Sequence, residues 1–250
     1  MKPVFLGPKA DFGKAGVAAI VPAAGRGRRL KSGVPKAFVL VCGIPLIVHT
    51  LRNLLRSYPF TEIVVLVASA QKARARRLLD RHGLAHVRVE AGGATRAASV
   101  RRGFLSLLKK TEWVLVHDAA RPLISKATVL RVLSAAKYSG AALCAMPVTA
   151  TVKRLSSGQR VVSGTEDRRT LCLAQTPQVF RKKLLLARYR SLGPRALQAT
   201  DEAALFDKSS VSVRVVEGDA RNVKVTTGED LDVLKYYLGK FGAARTRKSF

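Results

Sequence analysis

The sequence predicts an α/β domain, a mostly parallel sheet with helices on both faces and one protruding β-hairpin arm. Three observations carry that expectation. From residue 17 onward, short runs rich in Val, Ile and Leu alternate with helix-like stretches, which is the pattern of βαβ units. The runs are short and apolar, as suits strands covered on both faces. The alternation breaks once, at 148–173, where extended stretches flank a Ser/Gly turn.

Residues 1–16 carry Gly, Pro and Lys with no sustained period and read as a loose N-terminal extension. Strands are expected at 17–22, 63–68, 87–90, 113–116 and 141–147, and helices at 45–57, 71–82, 94–109 and 126–139. In the arm, 148–155 and 160–163 are extended around a turn at 156–159, and 171–180 returns to strand character. Further on, 182–189 and 201–208 read as helices and 211–216 and 222–225 as strands. A last helix at 227–237 has Thr227 as N-cap and Asp230 three residues on, as in a capping box. No repeat or low-complexity linker divides the chain, so 17–240 is expected to be one domain, with 241–250 a basic tail.

At 250 residues and 48% hydrophobic, the chain can bury roughly 70–75% of its unfolded surface without a disulfide or metal staple. Its apolar runs fall short of the ~20 residues of a spanning helix, and 17–24 lacks the flanks of a secretory signal, so no membrane partner is expected. Cys42, Cys144 and Cys172 are widely separated and odd in number, which suits a reducing, cytoplasmic setting rather than a disulfide framework. Lys and Arg number 45 against 16 Asp and Glu, a net charge of +29. The cations are spread along the chain, with local groups at 26–36, 72–81, 101–110 and 245–248 and no interleaved aromatic platform. They read as a generally cationic surface, and no specific nucleic acid partner is expected. Acid is scarce, and between Ala119 and Thr165 there is none.

Two places could carry chemistry. The strand at 17–22 runs into Ala23-Ala24-Gly25-Arg26-Gly27-Arg28-Arg29, followed by Pro35-Lys36. Small side chains let backbone N–H groups approach phosphate oxygens, while Arg29 and Lys36 add charge, an arrangement suited to a triphosphate. It is neither the dinucleotide fingerprint, whose third glycine would fall on Leu30, nor a Walker A loop, and two glycines after a strand can also mark only a tight turn. The second place is 114–116 leading into His117-Asp118-Ala119-Ala120-Arg121-Pro122. Asp118 falls at the carboxyl end of a strand, where open parallel sheets bind ligands, and a lone carboxylate there suits Mg²⁺. Alternatively, Asp118 caps a turn or pairs with Arg121. His117 would project to the opposite face, His49 lies in an apolar helical stretch, and His82 and His86 lack a third ligand.

From residue 17 to about 232, the chain resembles the 2-C-methyl-D-erythritol 4-phosphate cytidylyltransferases of the non-mevalonate isoprenoid pathway. The resemblance is carried in order by the two segments above and by Gly92-Gly93-Ala94-Thr95-Arg96-Ala97-Ala98-Ser99-Val100, Pro147-Val148-Thr149-Ala150-Thr151-Val152-Lys153, Gln175-Thr176-Pro177-Gln178, Thr200-Asp201-Glu202-Ala203 and Asn222-Val223-Lys224-Val225-Thr226. It implies a Rossmann-like sheet, a homodimer built through the arm, CTP and a sugar-alcohol phosphate as substrates, and Mg²⁺ or another divalent cation as cofactor. In that likeness Ala23, Ala24, Gly25 and Gly27 wrap CTP, and Gly93 and Ser99 contact its cytidine. Arg29, Lys36 and Lys224 are the catalytic cations, with Arg29 and Lys36 on the phosphates and Lys36 and Lys224 converging on the α-phosphate. Asp118 holds the metal. Arg121, Thr151 and Lys224 surround the sugar phosphate, with Arg168 and Thr200 supplied by a second subunit. The chain departs from the family pattern at Ala37 and Phe38, where Gln-Tyr is common, and at Ala150, where Asp usually precedes the threonine matched by Thr151. A cytidylyltransferase for another polyol phosphate, such as ribitol 5-phosphate, fits the same motifs, and a basic nucleic-acid-binding protein is the rival from a different class.

Overall fold

Strand β1 (Gly16–Pro22) is apolar on both of its faces, which leaves it no place but the middle of a covered sheet. Val17, Ala19 and Val21 enter one core cluster, and Ala18 and Ile20 enter another on the opposite side. Fully burying a side chain such as Ile20 contributes about 1.5–3 kcal/mol. The structure, a computed structural model, describes residues 12, 15–25, 30, 33–158 and 160–246, with side chains as far as 239.

Among the described residues, seven strands form the main sheet in the order β11-β7-β10-β6-β1-β4-β5. β1 pairs in parallel with β4 (Glu62–Val67) and β6 (Thr111–Val116), and β4 pairs in parallel with β5 (Arg88–Ala91). β10 (Cys172–Arg181) is antiparallel to both β6 and β7 (Ala141–Pro147), and β11 (Arg214–Glu217) runs parallel to β7. The first core cluster lies under α1 (Leu46–Ser57), α2 (Lys72–Arg81) and α4 (Lys126–Ser139), through residues such as Leu51, Leu79 and Val132. Opposite it, α3 (Arg96–Leu105) and α5 (Lys182–Leu192) contribute Val100, Phe104, Leu185 and Tyr189. α3 comes close to the sheet at Gly103, where a Cβ would lie 2.7 Å from Leu66 Cδ2. A short hairpin, β2 (Leu40–Val41) and β3 (Ile44–Pro45), packs under α6 (Gly228–Thr246) in a third, smaller cluster.

The arm is a separate two-stranded ribbon in which β8 (Lys153–Leu155) faces β9 (Val162–Thr165). Leu155, Val161, Val162, Leu171 and Leu173 are exposed along it and its return.

Two expectations need correction. The helix expected at 201–208 is only a 3₁₀ turn, Ala203–Phe206, because Gln178 ties down Asp201 and the amide of Ala203. The strand expected at 222–225 is a loop: the Asn222 amide donates to Thr176 O and Gln175 Oε1, across to β10, where a ladder would otherwise form. Of the expected extension, the described Phe12 is buried edge-on against Trp113 and Tyr58, and β1 begins at Gly16. The tail at 241–250 carries the backbone of α6 as far as Thr246. At the start of α6, Asp230 Oδ2 accepts from the Thr226 and Thr227 amides, which supplies the side-chain-to-backbone half of the expected box.

Candidate active site

The parallel strands β1, β4, β5 and β6 end at one edge, and their exits build the site there. Ala23 N donates to Leu66 O, Gly92 N to Val67 O and His117 N to Ile20 O, so each departing loop is fastened to a neighbouring strand end. Ala23, Ala24 and Gly25 leave β1 as one wall of a cavity of about 250 Å³. Gly93, Ala94, Thr95 and Ser99 at the start of α3 form another. The loop can approach α3 so closely only without side chains, since a Cβ on Gly93 would lie 2.5 Å from Ala98 Cβ. Thr95 caps the helix by accepting from Ala98 N, and the buried Ser99 hydroxyl accepts from Gly93 N and donates to Thr95 O. The cavity therefore faces a helix N-terminus, which favours an anion.

Asp118 sits at the end of β6, with its side chain 8% exposed. Oδ1 accepts from Arg96 Nε at 3.0 Å and Oδ2 pairs with Lys224 Nζ at 2.6 Å. Burial alone would raise its pKa, but the charges of Arg96 and Lys224 outweigh burial and hold the carboxyl well below the usual range. Arg96 in turn makes two 3.0 Å bonds to the buried Glu202. Burial pushes the Glu202 carboxyl up, against the pull of the Arg96 charge. Lys36 reaches the same cavity while donating to Val225 O. Of the alternatives for Asp118, the turn is present, since Arg121 N donates to Asp118 O, but the side chain pairs with Arg96 and Lys224 rather than with Arg121.

His117 is fully buried, and burial lowers its pKa to about 4. Thr176 Oγ1 accepts from Asp118 N and lies 3.1 Å from His117 Nδ1, while Nε2 lies 3.0 Å from Arg121 O. A neutral ring with its proton on Nε2 satisfies every one of these contacts. The ring thus holds the backbone behind Asp118 and Arg121 and does not enter the cavity.

A second cavity, of about 180 Å³, adjoins the first and is bounded by Arg121, Gln175, Gln178, Thr200 and Asp201. Arg96, Asp118 and Lys224 line both. Arg121 donates to Asn222 O, and its buried Nε has no hydrogen-bond partner among the described residues. Thr200 lines the second cavity of its own chain. Thr151 is exposed on the arm and Arg168 donates to Thr149 O, and neither lines either cavity. Gly27 and Arg29 lie outside the described residues. Sequence reasoning gave Arg96, Glu202, Gln175 and Gln178 no individual role, although all four lie in segments that carried the resemblance.

A family model described as 2-C-methyl-D-erythritol 4-phosphate cytidylyltransferase matches residues 17–240. A protein of that name from Syntrophus aciditrophicus is 37% identical over 226 residues, covering 90% of this chain and 96% of its own length. One from Bacillus cereus is 39% identical over 220 residues, covering 88% and 96%. A crystal structure of 4-diphosphocytidyl-2C-methyl-D-erythritol synthase from Anaerococcus prevotii superposes with a TM-score of 0.79 at 29% identity, covering 90% of this chain and 97% of that one. The match embraces every strand that ends at the two cavities, and the chain belongs to the 2-C-methyl-D-erythritol 4-phosphate cytidylyltransferase family.

Proposed function

We propose that the chain joins CTP to 2-C-methyl-D-erythritol 4-phosphate. A 4-phosphate oxygen attacks the α-phosphorus as the bond to the β-phosphate breaks, leaving CDP-methylerythritol and pyrophosphate. The observation that carries this is the pair of adjoining cavities with Arg96, Asp118 and Lys224 on their common wall, since two anionic substrates must meet there against their own repulsion. CTP would lie in the larger cavity, its phosphates near the 23–25 loop and the start of α3, with Gly93 and Ser99 beside the cytidine; the family resemblance alone assigns Gly27 and Arg29 to CTP. Lys36 and Lys224 would steady the charge that develops on the α-phosphoryl group, and Arg121 and Thr200 would hold the acceptor phosphate.

The donor set fits a divalent cation that arrives on a triphosphate. Asp118 is ionised and faces both cavities, whereas no group of three or more His, Cys, Asp or Glu able to hold a metal occurs among the described residues. Asp118 would hold Mg²⁺, and the ion would supply neutralising charge to the triphosphate. Asp219 is engaged by Arg221 and lines neither cavity.

A homodimer belongs to the same reading. Thr151 and Arg168 stand away from their own chain's cavities, and the arm that bears them exposes Leu155, Val161, Val162 and Leu173. Pairing of two chains would cover those side chains and carry Thr151 and Arg168 to the acceptor cavity of the partner. A cytoplasmic setting suits three free cysteines, and among the described residues no helix is long and apolar enough to cross a membrane.

The test is pyrophosphate release from CTP with methylerythritol phosphate or ribitol 5-phosphate as acceptor. Release with the former is expected. Faster turnover with ribitol phosphate would overturn the acceptor assignment, and no release with either would overturn the reaction.

A further inference from the structure

Arg96 divides its guanidinium between two carboxylates. Its Nη1 and Nη2 each donate at 3.0 Å to one oxygen of Glu202, while Nε alone donates to Asp118 Oδ1. Glu202 is 2% exposed, and its carboxylate hydrogen-bonds only Arg96 among the described residues. Asp118 keeps its second oxygen for Lys224, at 2.6 Å. Buried ion pairs are poor devices for stability alone, since apolar replacements often hold a fold equally well.

We propose that Glu202 and Arg96 are positioning residues which set where Lys224 stands, two contacts away. The inference rests on the cytidylyltransferase reading of this site. A guanidinium beside a single carboxylate takes both of its oxygens through two parallel N–H bonds. Free of Glu202, Arg96 would close its fork on Asp118 and displace Lys224 from Oδ2. With Nη1 and Nη2 committed to Glu202, only Nε remains for Asp118, and the second oxygen stays open to the lysine. Glu202 itself follows Thr200 and Asp201, which line the second cavity, so the clamp spans the wall shared by the two substrates.

The full chain tests this through Glu202→Gln, which keeps size but cannot accept from both Nη groups with two carboxylate oxygens, and through Arg96→Lys, which keeps the charge but lacks the planar fork that bonds Glu202 through two parallel N–H groups. Both are expected to lower kcat about 10- to 100-fold, as loss of an outer partner does elsewhere. The dissociation constant for CTP, from calorimetry, is expected to stay within about threefold of wild type. In Glu202→Gln, without substrates, Lys224 is expected to be acylated faster by an amine-reactive ester, read by peptide mass spectrometry, because its amine is no longer held against Asp118. Wild-type kcat with unchanged Lys224 labelling overturns the clamp. So does a kcat loss that merely tracks the folded fraction, with labelling unchanged in the folded protein. Should wild type itself release no pyrophosphate, the cytidylyltransferase reading fails, and the labelling comparison alone decides on the clamp.

Discussion

Lys36 and Lys224 come from segments far apart in the chain, yet both line the larger cavity. A compact ammonium can follow phosphate oxygens as they move towards trigonal-bipyramidal geometry, so its help grows from ground state to transition state. Lys36→Ala and Lys224→Ala are each expected to lower kcat about 10²–10³-fold, roughly 3–4 kcal/mol, with a much smaller rise in the KM for CTP. Steady-state kinetics separates the two effects, and a change confined to KM would make both residues simple binding cations. His117 offers a test that needs no substrate. The fold holds it neutral, with a pKa near 4 against an ordinary 6.5, so as pH falls the unfolded chain takes up the proton first. Stability is therefore complete above pH 6.5 and is lost towards pH 4, by up to about 3 kcal/mol, with His49 shifted in the same direction. Denaturant midpoints measured across that window should fall in wild type and flatten in His117→Gln.

Among the elements, the arm carries the sharpest expectation. Replacing Leu173 and Leu155 by Asp puts charge on apolar side chains that are 59% and 56% exposed in the single chain. If pairing of two chains covers them, sedimentation should show wild type as a dimer at micromolar concentration and the double variant as a monomer. The variant's turnover should fall too, because Thr151 and Arg168 would no longer reach a partner. Much of the element pattern was legible because local signals and tertiary contacts agree. Helix α4 matches its expected span because Ser125 accepts from Thr128 N at one end and Gly140, at φ +82°, stops it at the other. The misread segments are those whose side chains are recruited across the fold. Residues 201–208 have helical composition, but Glu202 turns to Arg96 and Asp201 to Gln178. At 222–225, apolar residues suggest a strand, but Asn222 reaches β10 through its side chain. The clamp was illegible for a similar reason: Arg96 is one of 45 basic residues, and its partner lies 106 positions away.

On the scale of the whole molecule, +29 is a field as well as a composition. Both substrates are polyanions, and a cationic surface raises their rate of encounter until salt screens it over about 10 Å at 0.1 M. Raising ionic strength from 20 to 500 mM should therefore lower kcat/KM for CTP more than it lowers kcat. Excess EDTA and Asp118→Asn should each abolish most turnover, while full activity in EDTA would remove the metal from the reading. The wall shared by the two cavities also bears on inhibition. A compound that tethers a cytidine to a polyol phosphonate gains effective concentration when both halves can seat together. Yet Arg96, Asp118 and Lys224 face both cavities, so each fragment measured alone already draws on the same three charges. The affinity of the linked molecule will then fall below the product of its parts, by an amount that reports how much of each half's binding those three side chains provide.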